Sequence, residues 1–348
     1  MSPVDARPAT PAPGAYRISR SGIDATVGTI VFAAAAVVLA LAPWWDADAG
    51  LRTKLIPILL YLSLAQMWNL LAGFAGLVSV GQQMFVGVGM YALLSFAEDQ
   101  GLDPYLSVPL CGLVAVLLSV PVAALAFRLK AGYFAIGTWV IAEVVRLFVN
   151  EWGYLGGGTV RGLTPATLGS YSKATRQDVT FWLALALAVG ATLVVVAVLR
   201  SRVGLALRAV RDSESGARGL GVDATRTKVL VWLIAAFWTG CTGAVILLNT
   251  TSTRSDSAFS VSQWTALVIF VVVIGGVGST TGPIFGVIVY FALDQLLDNA
   301  DTWRFIVLGT IAALFAVVAP TGLYGLIQKW KPLQFFPVRR TLVARQPQ

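Results

Sequence analysis

No histidine occurs among the 348 residues, and only 12% of them are charged. The first absence removes imidazole metal ligands, Ser-His-Asp triads and histidine proton relays. The second sets the chain apart from soluble domains, which carry about 25% charged residues. Cysteine is scarce too: Cys111 and Cys241 both fall inside apolar runs and read as small core residues, not as a disulfide. No phosphate loop, nucleophile–base set or cluster of metal ligands stands in the sequence, so no catalytic residue, metal or cofactor is expected. What is abundant is apolar: 57% hydrophobic residues and a mean hydropathy of +0.77 describe an all-α polytopic membrane protein. The net charge of +8 maps to the ends of apolar runs. That is orientation chemistry, and nucleic-acid binding is not expected.

The order of composition divides the chain. Residues 1–21, with Pro3, Pro8, Pro11 and Pro13, are expected to be a disordered tail. Residues 22–325 are the membrane domain, and residues 326–348 a basic C-terminal tail. The first apolar run, Ile23–Pro43, is read as a retained helix. A cleaved signal peptide is the rival, because Ala47-Asp48-Ala49 imitates a cleavage site; the run is too long for that, and Trp44-Trp45 suit a membrane interface. Nine further spans are expected, at Leu55–Ala72, Val80–Phe96, Leu106–Phe127, Tyr133–Asn150, Val179–Leu199, Val229–Leu248, Ser262–Ile274, Gly286–Leu297 and Trp303–Ala319. The total is about ten transmembrane helices, some short or broken by glycine. With the N-terminus inside, 17 of the 25 Lys/Arg fall on the cytoplasmic side and seven on the outer side, with Arg146 within a span. This bias places both termini in the cytoplasm.

The hydrophilic segment 200–228 interrupts this pattern. It holds Arg200, Arg202, Arg208, Arg211, Arg218, Arg226 and Lys228, each costing roughly 2.5–3.5 kcal/mol at mid-membrane. It is therefore a cytoplasmic loop. Asp212 or Ser213 can cap a short helix that stops at Gly221. Such a helix presents Ala217 and Leu220 on one face with Glu214, Ser215 and Arg218 around them, as helix-in-groove docking requires. A solvated loop that merely obeys the positive-inside rule would need neither cap nor stop.

Three intramembrane stretches could line a path. In Asn69–Tyr91, five glycines interrupt an apolar run that also holds Asn69, Ser79, Gln82 and Gln83. Glycine at this density suits an unwound turn beside a watery cavity, with Ser79, Gln82 and Gln83 at its edge, or close helix packing. In Gly275–Gly286, Gly278, Gly282 and Gly286 form a small-residue ridge and Pro283 breaks the helix, which makes a tight joint between two spans. Glu143 and Arg146 share a helix face, either as a functional intramembrane pair or as a structural ion pair where helices meet. A self-sufficient transporter would use Glu143, Arg146 or Asp294 for ion coupling.

These pieces in order, Asn69–Gly76, Ser79–Gln82, Ala142–Arg146, Gly204–Asp212, Gly221-Val222 and Gly275–Pro283, resemble the membrane permease subunits of branched-chain amino acid ABC importers, in particular the LivM-type half. The resemblance covers about residues 55–325. It departs at Gln82, where the family often has histidine after the glycine. It implies a subunit of the bacterial inner membrane, forming half of a translocation pathway for branched-chain or related amino acids. It also implies a second permease subunit, two ATP-binding subunits that contact the 200–228 loop, and an extracytoplasmic substrate-binding protein. Urea, amides or another small polar solute remain alternative cargoes.

Overall fold

The computed structural model describes residues 16–19, 23–45, 50–129, 132–155, 158–169, 171–297, 301–319, 321–330, 335–336 and 341–344. Most of the expected N-terminal tail, Ala47-Asp48-Ala49 and the basic residues Lys331, Arg339, Arg340 and Arg345 lie outside them.

Strand β1 (Tyr16–Ser19) precedes α1 (Ile23–Ala40) and the short α2 (Ala42–Trp45). Helix α3 (Gly50–Asn69) widens into a π-type turn at Leu70–Phe74, and after an irregular link α4 (Gln82–Leu94) follows, itself ending in a π-type turn. Then come α5 (Val108–Ala126), α6 (Gly132–Glu151), β2 (Arg161–Gly162), α7 (Pro165–Leu168) and the long α8 (Lys173–Arg200). Two polar helices, α9 (Arg202–Asp212) and α10 (Glu214–Gly219), lead into α11 (Ala224–Thr250). The remainder is β3 (Ser252–Thr253), α12 (Ser255–Ala258), a π-type turn at Ser262–Ala266 running into α13 (Leu267–Gly275), α14 (Gly282–Leu296), α15 (Asp301–Val318), α16 (Gly322–Trp330) and β4 (Thr341–Ala344).

Among the described residues a helix stands at each of the ten expected places, and seven are long and apolar enough to cross a membrane. The short α14 begins at Gly282, four residues ahead of the expected start, because Pro283 sits in its first turn. There its missing N–H costs nothing. So Pro283 starts a helix and does not break one. Helix α3 begins at Gly50, ahead of the expected Leu55, and takes in Arg52, which pairs with Asp178 of α8. Helix α16 was not foreseen, and it crosses the expected boundary at 325/326. Its Tyr324 stacks on Phe285 of α14 at 6.3 Å.

Helix α11 forms the centre of the bundle and packs along α5, α4, α3 and α8. A Cβ on Gly89 of α4 would lie 2.0 Å from the Gly240 carbonyl oxygen, and one on Gly243 would lie 2.2 Å from that of Val86. The two backbones touch, as small residues allow inside a bilayer. Trp232 is buried between them and α5, donating to the Ser119 carbonyl at 3.1 Å. Helices α1 and α6 instead show many exposed apolar side chains, including Val31, Val37, Ile136 and Phe148. Within the tail expected to lack structure, β1 pairs antiparallel with β4, Tyr16 opposite Ala344, so the two ends of the chain meet on one side.

Candidate functional site

The 200–228 loop folds as a helical hairpin. Ser213 accepts from the Gly216 N–H at 3.1 Å and caps α10. Gly221 closes it at φ +81, with the Gly221 N–H on the Arg218 carbonyl (3.0 Å) and the Val222 N–H on that of Ala217 (3.0 Å). This is a Schellman stop, and the sequence announced it. One residue departs from expectation. Ala217 is 2% exposed, packed with Val210 and Ala224, and does not face outward. The apolar residue that α10 presents is Leu220, 84% exposed. Glu214 accepts from Lys228 (2.6 Å) and Arg218 (2.7 Å), ties α10 to α11, and has its carboxyl held below the usual range, first by Lys228. Arg208 is half-buried on α9, and Asp212 ends that helix.

Below the hairpin, α3 fails. Its π-type turn at Leu70–Phe74 frees carbonyls that an α-helix would pair, and residues 76–81 run without regular structure into α4. Non-helical backbone at membrane depth must find partners in protein. Here Trp68 donates to the Ser79 carbonyl (2.8 Å), the Val80 N–H reaches the Thr138 hydroxyl of α6 (3.1 Å), and the Leu77 N–H bonds the Leu71 carbonyl (2.9 Å).

Three distant stretches then converge. Asn69 donates to the Ser279 carbonyl and accepts from the Gly278 N–H, both at 2.8 Å, which staples α3 to the joint between α13 and α14. Arg211, the penultimate residue of α9, donates to the Gly73 carbonyl at 2.6 Å. A Cβ at Gly73 would lie 2.3 Å from the Asn69 amide oxygen and 2.5 Å from the Gly278 nitrogen, so the contact admits only glycine. Gly278 itself sits at φ +75, a conformation glycine adopts without strain. The basic hairpin is thereby bonded to a broken helix, and that helix to a second one.

Deeper in, polar side chains line up between helices. Gln66 is fully buried and donates to the Thr192 hydroxyl (3.3 Å) and the Thr280 carbonyl (3.0 Å). Gln82, 6% exposed, donates to the Leu64 carbonyl (3.0 Å) and lies beside the Thr239 hydroxyl. The amide oxygens of both are buried without a hydrogen-bond partner. A void of about 10 Å³ between Ser79, Gln82 and Thr239 is near the lower limit for one water. Gln83 accepts from Thr265 in the third π-type turn. Gln66 and Thr192 were not singled out from sequence, since one amide in an apolar run gives no periodic signal.

Comparison with known proteins now bears on this arrangement. Residues 53–319 match the family described as "Branched-chain amino acid transport system / permease component". The chain belongs to that family. It is 27% identical over 326 residues to the high-affinity branched-chain amino acid transport system permease protein LivM of Salmonella typhimurium, covering 86% of this chain and 75% of the relative. The LivM protein of Escherichia coli gives the same identity and coverage. The probable LivM of Methanocaldococcus jannaschii is 24% identical over 272 residues, 69% of this chain and 79% of the relative. A shorter match, 29% over 122 residues, aligns 33% of the chain with the xylose transport system permease protein XylH of Escherichia coli. No solved structure matches. As a transport permease component with seven apolar helices among its described residues, the chain is a multi-pass protein of the inner membrane.

The remaining expected residues lie elsewhere in this permease. Arg146 donates two bonds to Glu143 (2.9 and 2.6 Å) and one to Asp256 of α12 (2.6 Å). The pair fastens α6 to α12, half in solvent. It makes no bond to Asn69, Ser79, Gln82 or Gln83. Nearby, Arg161 pairs with Asp99 (2.8 Å), and β2 joins β3 with Arg161 opposite Thr253.

Proposed function

We propose that this chain forms half of the pathway of an ATP-driven importer for branched-chain amino acids. A second permease subunit would complete the pathway, two ATP-binding subunits would work against the hairpin, and a substrate-binding protein would deliver solute from outside. The names of the relatives support the cargo, since each LivM protein is named for branched-chain amino acid transport. The charge bias of the loops supports a cytoplasmic hairpin and cytoplasmic termini, and the pairing of β1 with β4 agrees in putting both termini on one side.

The observation that carries the mechanism is the Arg211–Gly73 bond. Leu220, Ser215 and Arg218 on α10 are exposed and meet the ATP-binding subunit. Arg211 is exposed too, but its guanidinium turns toward the permease and holds the Gly73 carbonyl. Force on α10 then passes through α9 and the guanidinium to the π-type turn, and from Asn69 to the α13–α14 joint. Both are places where the helix is already open and movement breaks few bonds. Rocking at these joints opens the path beside Ser79, Gln82 and Gln83 alternately to the two sides. The unpartnered oxygens of Gln66 and Gln82 find water or solute in that motion.

The test is reconstitution in liposomes. The chain with its partner subunits and binding protein should take up L-leucine only when ATP is supplied. The chain alone should take up none under a proton or sodium gradient. Uptake by the lone chain would overturn the reading in favour of a self-sufficient transporter. Preference for xylose over leucine would favour the cargo of the shorter match.

A further inference from the structure

At the end of the protein remote from the hairpin, a cavity of about 440 Å³ opens between α3, α11, the third π-type turn and α14. Helix α11 spans 27 residues from the hairpin to Thr250, about 40 Å at 1.5 Å per residue, so this cavity is separate from the contact of Arg211 with Gly73. Its volume falls within the roughly 300–1,000 Å³ of small-molecule sites. Its walls are of two kinds. Tyr61, Trp264 and Tyr290 give an aromatic side, with Tyr61 at 6.0 Å from Trp264 and 5.6 Å from Tyr290. Thr250, Thr253 and Ser257 add hydroxyl oxygens beside them. The Trp264 indole N–H bonds the Ser257 carbonyl at 2.8 Å, while Thr250 and Ser257 donate their own protons to the Ile246 (3.1 Å) and Arg254 (3.0 Å) carbonyls and keep lone pairs to accept with.

Two features set the backbone here apart. Thr251 sits at φ +60, the sole non-glycine with positive φ among the described residues, held there by its N–H on the Leu247 carbonyl (2.7 Å) and the Leu163 N–H on its own carbonyl (2.8 Å). Gln263 and Trp264 project from the π-type turn. Strained residues and π-type turns concentrate at functional sites. Among the described residues none of the lining side chains is charged. The charged residues next along the chain are engaged: Asp256 with Arg146 (2.6 Å) and with Arg254 (3.4 Å).

We propose that this cavity binds a solute with an apolar body and no net charge, in the manner of a zwitterionic aliphatic amino acid. The inference rests on the permease reading and adds to it where solute enters this subunit and what is refused. The aromatic side takes the apolar body, the hydroxyl oxygens accept from the ammonium group, whose charge the ligand's own carboxylate offsets, and a further charge on the side chain finds no countercharge and is rejected.

Native Cys111 and Cys241 are 0% and 3% exposed, so an introduced cysteine can be read against a quiet background. In the full-length chain in lipid nanodiscs, Ser252→Cys in the cavity wall is labelled with N-ethylmaleimide. L-Leucine at ten times its half-protecting concentration should slow labelling about tenfold. L-Lysine should leave the rate unchanged, and so should leucine for the hairpin control Ser215→Cys. Ser257→Cys repeats the measurement at a second wall position, in case Ser252→Cys disturbs the β2–β3 pairing. Failure of leucine to protect either cysteine, equal protection by lysine, or parallel protection of Ser215→Cys would each overturn the proposal. Leucine uptake by the complete transporter is scored separately. Uptake without protection rejects the site and leaves the permease reading standing, and protection without uptake does the reverse.

Discussion

Two arginines are anchored at different places in this permease by different means. Arg146 holds two carboxylates, Glu143 on its own helix and Asp256 on α12, and the charges cancel locally. Arg211 holds a backbone carbonyl, that of Gly73, in a helix that has lost its regular pairing. An ion pair at a half-exposed site fastens two elements and contributes roughly 0–1 kcal/mol. A charge-assisted bond to an orphan carbonyl contributes roughly 1.5–3 kcal/mol and depends on the geometry of a joint. The first is a rivet. In the mechanism proposed above, the second transmits displacement, because moving the guanidinium would move the turn.

Gly73→Leu should produce the largest effect. Its side chain would drive into Asn69 and the Gly278 backbone, at a cost of about 1–3 kcal/mol or more. Thermal unfolding of the solubilised chain should show the loss. Gly219→Ala, where a Cβ meets no atom within 4 Å, should show none. Asn69→Ala should come next: it removes two bonds across the joint and leaves the half-buried Gly278 N–H unpaired, roughly 1–3 kcal/mol. A loss as small as that of an exposed substitution would mean that the staple is idle.

Arg146→Ala should cost about 1 kcal/mol or less and leave leucine uptake within about twofold of the parent. The doubly substituted Glu143→Gln, Arg146→Gln chain should behave alike. A large loss of uptake with normal stability would instead place this pair in the pathway and erase the contrast with Arg211. The smallest effect concerns acid. Lys228 and Arg218 keep the Glu214 carboxyl below its ordinary range, so their stabilisation is present at neutral pH and is lost as pH falls through that lowered value. Hydrogen exchange in α10, corrected for intrinsic rate, should rise once the pH falls below the ordinary glutamate range, and Glu214→Gln should abolish the difference.

Local features of this chain were legible and distant ones were not. Ser213 and Gly221 predicted α10 because cap and stop act within a few residues of themselves. The start of α3 was hidden because Arg52 and Lys54 interrupt the apolar pattern, while Asp178, 126 residues away, pairs with Arg52. Helix α16 was hidden because its apolar face is too short to read as a span. The glycine runs announced weak helices, but not that Gly73 would meet both Gly278 and Arg211, the latter 138 residues along. Ala217 was assigned to the wrong face because α10 alone does not reveal that α9 and α11 cover it.

Arg211 is expected to transmit motion without itself touching the ATP-binding subunit. Arg211→Ala in the reconstituted complex tests it directly, with hydrolysis and uptake measured in the same vesicles. ATP hydrolysis should persist near the parent rate while leucine uptake falls at least about tenfold, the loss expected for a bond of about 1.5 kcal/mol or more. Hydrolysis and uptake that fall together, or both stay unchanged, would contradict the account.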